Sequence, residues 1–350
     1  MKPIEKSVFG KRADGENSFC YKLMNDGGAY VEILDYGATI LRIVVPDRVG
    51  RLADVVVGKD RLDQFMDNTC YNGSTIGRMA NRILGGEYAI DGKAYHTELN
   101  ELGDTTLHSG QANYGLRFFD EDRMECGNAE ASVRFCIRDS GAGGFEVPLV
   151  FYVCYTFGND GELSIEYEAK LSGKTVIAPT NHCFFNLSGE GNGPVLDHLL
   201  TVNADAYTPF PREDDNPDGS ILDVGGTPFD FRQGVRLGDR VPACVPFYDC
   251  NFVLNDTGFR KVAEVYDPGS GRRMTVSTDM PGMQLYTCAF PLAAQISGKA
   301  DKRYGPDDFY CLETQYFPNA VRMKNFYAPV FRAGVTWTSK TTYRFDCDSK

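Results

Sequence analysis

A two-residue hydrophobic period constrains this chain more than any other feature. Leu163, Ile165, Tyr167, Ala169 and Leu171 alternate with Ser164, Glu166, Glu168 and Lys170. Successive side chains of a strand point to opposite sides of its sheet, so this pattern predicts an extended segment with one dry and one wet face. Upstream, Val133, Phe135 and Ile137 alternate with Arg134, Cys136 and Arg138, and the run 147–157 is apolar on both faces, as expected of a central strand. The separators, Ser140-Gly141-Ala142-Gly143-Gly144 and Gly158-Asn159-Asp160-Gly161, supply residues that tolerate positive φ. The three strands should follow one another as an antiparallel meander.

The same grammar returns at 262–266, turns at Asp267-Pro268-Gly269-Ser270-Gly271, resumes at 274–277 and appears again at 342–345. Candidate strands run from Tyr30 onward. Helical spacing is weak, with 59–66 its best stretch, so an all-β fold is expected. A chain of 350 residues, 42% apolar, can bury one large core, and no fixed-period repeat points to a propeller or solenoid. Residues 1–350 are therefore read as a single domain, with 211–219, rich in Asp, Pro and Asn, as a surface loop.

Thirty-six basic residues against 48 acidic ones give a net charge of −12, which repels phosphate backbones and anionic lipid, so neither nucleic acid nor membrane is an expected partner. Met1-Lys2-Pro3-Ile4-Glu5-Lys6 does not open a signal-peptide core and no later run has the length of a membrane span, which predicts a cytoplasmic protein. The eleven cysteines are odd in number in a chain too long to need staples, so reduced thiols are expected. No Cys-x-x-Cys pair occurs, and Cys244 and Cys250 lack a finger-like partner set, so no metal is expected.

A few polar residues interrupt apolar runs. His182 sits in Ala178-Pro179-Thr180-Asn181-His182-Cys183-Phe184-Phe185, where an imidazole could donate a proton or simply be a satisfied core histidine. Glu313 interrupts Phe309-Tyr310-Cys311-Leu312-Glu313-Thr314-Gln315-Tyr316-Phe317 and shares a face with Cys311 and Gln315. Lost hydration should raise its pKa toward the range of a general base, unless a structural partner neutralises it. His108 is expected at a strand end beside Gly110, whereas His96 and His198, next to charged residues, read as solvated surface. Asn81-Arg82 could fork hydrogen bonds to a polyhydroxylated ligand, and Asp249 and Gln284 are polar groups in apolar stretches that serve either structure or binding. No phosphate loop, dinucleotide fingerprint, Gly-x-Ser-x-Gly elbow or His-Glu-x-x-His helix is present.

Gly77-Arg78-Met79-Ala80-Asn81-Arg82-Ile83, Leu107-His108-Ser109-Gly110, Thr180-Asn181-His182, Asp249-Cys250-Asn251-Phe252, Gly282-Met283-Gln284 and Leu312-Glu313-Thr314-Gln315, in that order, resemble the aldose 1-epimerase (galactose mutarotase) family. Asp35-Tyr36-Gly37-Ala38 and Gly226-Thr227-Pro228-Phe229-Asp230-Phe231 add to the likeness. The resemblance implies a large antiparallel β-sandwich (supersandwich) with an open sugar cleft, acting without a cofactor on a free aldohexose such as galactose or glucose, as a monomer or homodimer. By motif, Glu313 falls at the family's general base and His182, as imidazolium, at its general acid. His108 and Arg82 match positions that hold the sugar and its ring oxygen, and Asn81, Asp249 and Gln284 match hydroxyl-binding positions.

Two departures stand out. Cys250 replaces the histidine usual after the aspartate, and Gly115-Leu116-Arg117-Phe118-Phe119 lacks the family's Asp-Lys pair and tryptophan. Rival readings are a non-catalytic sugar-binding or regulatory sandwich, a hexose-phosphate 1-epimerase, for which no arginine cluster is evident, and a glycoside hydrolase, for which no second acid in a matching apolar setting accompanies Glu313.

Overall fold

The meander forms as the alternation requires. In the computed structural model, which describes residues 4–66, 70–209, 219–240, 247–287 and 298–348, strands Glu130–Asp139, Leu149–Gly158 and Glu162–Leu171 pair antiparallel in sequence. They belong to a nine-stranded sheet that begins at Asp120–Cys126. Beyond Glu162–Leu171 it continues through Thr336–Cys347, Arg272–Thr278, Arg260–Tyr266, Leu199–Val202 and Val235–Arg236. The 336–347 strand is thus inserted between two segments made long before it, and it extends well beyond the expected 342–345.

One expectation for this sheet fails in detail. Residues 149–158 alternate between buried and half-buried positions, so the strand has one dry face, not two. Its second face is covered by long charged side chains from its neighbours: the Arg134 guanidinium lies 4.0 Å and the Lys170 ammonium 5.0 Å from the centre of the Tyr152 ring.

A seven-stranded sheet, in the order Leu222–Asp223, Ala206–Thr208, Asp249–Val253, Gly282–Thr287, Tyr310–Gln315, Phe184–Phe185 and Val56–Val57, faces the first across the main core. That core joins Phe135, Val153 and Ile165 of the large sheet to Phe252, Met283, Leu285 and Leu312 of the smaller one. Burying each such side chain contributes about 1.5–3 kcal/mol, and the summed gain offsets the entropy of ordering the chain. The fold is an all-β, antiparallel sandwich.

Strands begin earlier than expected. Ile4–Lys11 and Asn17–Met24 precede Tyr30–Leu34, Thr39–Pro46 and Leu52–Asp54 in a five-stranded sheet. The first strand is mostly exposed or half-buried and therefore carries little apolar alternation. The stretch 59–66 contains only a short helix, Leu62–Met66, which buries Leu62 and Phe65. The loop expected at 211–219 lies, except for Gly219, outside the described residues, as does Cys244. The described cysteines are free thiols, and no described helix is long and apolar enough to cross a membrane.

Candidate active site

The site grows from the register of the seven-stranded sheet. Asn251 lies opposite Gln284, and Gln284 opposite Glu313. At period two, Asp249, Tyr286, Cys311 and Gln315 share that face, while Cys250, Phe252, Met283, Leu285 and Leu312 point into the main core. Three adjacent strands therefore present a polar floor on one side and an apolar layer on the other. Cys250 belongs to the apolar layer, so its departure from the family pattern acts on packing beneath the floor. On the floor, Gln284 Nε2 donates to Asp249 Oδ1 at 2.5 Å, and Gln315 Nε2 donates to Gln284 Oε1 at 3.1 Å.

Other segments bring the imidazoles to this floor. His182 directly follows strand Thr180–Asn181, and its Nε2 stands 3.7 Å from Glu313 Oε1. His108 follows strand Thr105–Leu107 at the strand end expected, with φ of +50°. Asn81, also at positive φ, which asparagine tolerates, exchanges backbone hydrogen bonds with it: His108 N–H donates to Asn81 O at 2.9 Å, and Asn81 N–H donates to His108 Nδ1 at 3.1 Å. Because Nδ1 is an acceptor, the hydrogen of the neutral ring sits on Nε2. The His108 and His182 rings lie 5.3 Å apart, and Tyr71 packs edge-on against His108 at 5.1 Å.

Burial governs the protonation states. Desolvation lifts the Glu313 carboxyl well above the usual carboxylate range; Asp249 pushes it further up and Arg82 pulls it down. Desolvation also holds His182 down at about 4, and places His108 well below its ordinary value with help from His182 and Arg82. Burial therefore favours the neutral form of each group, and at neutral pH His182, held at about 4, is a neutral imidazole in the free protein. This corrects the expectation of a resident imidazolium, because an apolar surround penalises both members of an ion pair.

Three further expectations need correction. The Arg82 fork is already engaged: Nε and Nη2 donate to the two carboxylate oxygens of Glu101, each at 2.7 Å. Its Nη1 is turned toward Asn81 Oδ1, at 3.4 Å, and Asp249 Oδ2, at 3.9 Å. His198 is not on the surface. The short turn Val195–Asp197 directs Asp197 outward and His198 inward, with the His198 ring against Tyr310 and its Nδ1 2.9 Å from Val195 O. His96 is exposed, as expected. A second, half-buried acid does accompany Glu313, namely Asp249, whose pKa desolvation also raises, although its oxygens are committed to Gln284 and the Arg82 side.

The structure thus gathers Glu313, His182, His108, Asn81, Arg82, Asp249 and Gln284 around one polar floor. It adds Glu101, Tyr71 and Cys311, of which only Cys311 carried a sequence signal, its two-residue offset from Glu313. An antiparallel sandwich that sets a buried carboxylate and two buried imidazoles beside amide side chains on one polar floor makes a candidate site for proton transfer.

The aldose 1-epimerase family model matches residues 20–344. The chain is 34% identical to galactose mutarotase of Rattus norvegicus over 348 residues, 99% of each chain, and equally identical over the same span to galactose mutarotase of Homo sapiens. Among solved structures, an aldose epimerase homologue from C. elegans, 27% identical, superposes with a TM-score of 0.85 over 94% of this chain and 99% of its own. Galactose 1-epimerase from Lactobacillus acidophilus, 23% identical, shares the fold at 0.85 over 99% of both. The chain belongs to the aldose 1-epimerase family.

Proposed function

We propose that this isomerase interconverts the α and β anomers of a free aldohexose, galactose or glucose, with Glu313 as the base at the anomeric hydroxyl and His182 as the acid at the ring oxygen. The observation that carries this reading is the 3.7 Å approach of Glu313 Oε1 to His182 Nε2 on a buried polar floor. When the pair carries its proton on His182, Glu313 takes the proton of the anomeric O1–H and His182 Nε2–H protonates O5. The C1–O5 bond breaks as C1=O1 forms. The aldehyde then turns about C1–C2, and the reverse transfers close the ring on either face.

Ring opening moves one proton through the sugar from His182 to Glu313. The neutral pair favoured by burial is therefore the partner of the open-chain aldehyde, the less stable form of the sugar, and burial helps to level the two states. His108 Nε2–H and Arg82 Nη1 stand as donors for oxygens beside the reacting centre, while Asn81, Asp249 and Gln284 hold hydroxyls. Three features extend the reading. The main apolar cluster, running from Tyr21 to Phe345, supports a single domain; the free thiols suit the cytoplasm; and, among the described residues gathered at the floor, the one arginine, Arg82, is already paired with Glu101, which does not favour a phosphorylated sugar.

Polarimetry tests the proposal. Freshly dissolved α-D-galactose and α-D-glucose should reach their equilibrium rotation faster with the protein than in buffer, and EDTA should not slow them. Decay identical to buffer for both sugars overturns the reading.

A further inference from the structure

The polar floor also assembles a donor set of which the proposed mutarotation uses only two members. Cys311 precedes Glu313 by two residues on the same strand, so both face the cleft, and Cys311 Sγ lies 3.7 Å from His182 Nδ1. One donor atom from each of His182, Cys311 and Glu313 falls within 4.8 Å of the other two. All three residues are buried, and Glu313 Oε2 has no hydrogen-bond partner among the described residues. An unpaired carboxylate oxygen is costly to bury, and a cation beside it removes that cost.

We propose that His182, Cys311 and Glu313 form a binding site for a thiophilic divalent cation, zinc or cadmium, which occupies the acid/base pair and reversibly blocks turnover. The blocking role rests on the assignment of Glu313 and His182 as base and acid; binding itself does not. Zinc accepts sulfur at about 2.3 Å and nitrogen or carboxylate oxygen at about 2.0–2.2 Å, so a tetrahedral ion holds such donors about 3.3–3.8 Å apart. The triad has to contract by up to about 1.5 Å at its widest side, which rotation of the His182 ring and the two side chains can supply.

Thiolate and carboxylate together neutralise a dication, and an imidazole nitrogen completes the set as a neutral ligand. Binding displaces the Cys311 thiol proton into solvent, along with any proton Glu313 carries, and changes no oxidation state. The soft sulfur selects against magnesium and calcium, which prefer oxygen throughout. A fourth position facing the cleft remains for water or a sugar hydroxyl.

The test uses the intact protein freed of metal by dialysis against chelator. Cadmium titration followed by the ultraviolet sulfur-to-metal charge-transfer band, with equilibrium dialysis for stoichiometry, should show a tight phase of one equivalent. Cys311→Ser and Glu313→Gln, each checked for an unchanged melting curve, should weaken that phase by on the order of 100-fold. Cys126→Ser, which removes an exposed thiol, should leave it intact. Zinc should inhibit mutarotation with a midpoint matching its own binding, and EDTA should restore the rate. A one-equivalent phase that survives in Cys311→Ser, or that disappears in Cys126→Ser instead, overturns the proposal. Because the cadmium arm contains no sugar, it stays decisive even if polarimetry finds no mutarotation.

Discussion

The two large sheets bury their strands to opposite ends. In the nine-stranded sheet, Glu130–Asp139 and Leu149–Gly158 alternate cleanly, and the residues that go inside, such as Phe135, Phe151 and Val153, are apolar except for Asp139 at a strand end, which is paired with Arg78. In the seven-stranded sheet, Tyr310–Gln315 is buried at every position, yet Glu313 and Gln315, with Gln284 and Asn251 beside them, are polar. Glu313 Oε2 and Gln315 Oε1 lack hydrogen-bond partners among the described residues, and each such group costs about 1–3 kcal/mol. One sheet stabilises the molecule. The other gives up stability to hold titratable groups out of water, so burial alone does not separate core from site.

Substitutions on the two sheets should therefore fail in different assays. Glu313→Gln and His182→Asn should each lower kcat by roughly 10² to 10⁴-fold while sugar binding persists. The carboxyl whose folded pKa is raised costs stability once pH rises past its unfolded value, so Glu313→Gln should melt no lower than wild type at neutral and alkaline pH. Phe135→Ala on the other sheet should do the reverse, losing about 3–5 kcal/mol of stability in denaturant titration. Near-wild-type kcat in either site variant would move the acid or base elsewhere; a large stability loss in Glu313→Gln would erase the contrast between the sheets.

The pH profile sharpens the same point. Activity in kcat/KM requires one proton on the Glu313–His182 pair, so the wild-type profile should be a bell with its acidic limb near 4 and its alkaline limb above the ordinary carboxylate range. In Glu313→Gln the acidic limb should vanish, and residual activity, which needs imidazolium, should fall through about 4 as pH rises. A fall at the wild-type alkaline limb instead would mean that His182 carries the higher pKa.

His182 also links stability to pH. Its folded pKa of about 4 lies below the unfolded 6.5, so its contribution is present above pH 6.5 and lost as pH falls to about 4, on the order of 3 kcal/mol. His182→Asn should flatten melting temperature over that window relative to wild type. The smallest effects belong to the floor amides: Asp249→Ala and Gln284→Ala should raise KM by about tenfold, the loss of a buried hydrogen bond, with lesser change in kcat. A fall in kcat at constant KM would remove them from the binding role.

The same asymmetry governs what could be read in advance. Residues 163–171 announce their strand because alternation is local, and the meander follows from two glycine-rich turns. Glu313 announces itself as a carboxylate in an apolar run. His198 was misjudged because the neighbouring Asp197 signals solvent, while one short turn separates their directions. Glu101 and Tyr71 carry no local mark at all, since what places them at the site is the meeting of distant segments with Arg82 and His108. The protonation of His182 depends on the depth of the cleft, a property of the whole fold.

The 336–347 strand lies between Glu162–Leu171 and Arg272–Thr278, and this position sets an order on assembly. Until that strand arrives, the two halves of the nine-stranded sheet each expose an unpaired edge, and sequence-distant pairing of this kind is slow. During synthesis both edges stay open until residues 336–347 have left the ribosome, and the nascent chain is then most exposed to edge-to-edge aggregation. A chain lacking these twelve residues should aggregate even though every proposed catalytic group precedes them.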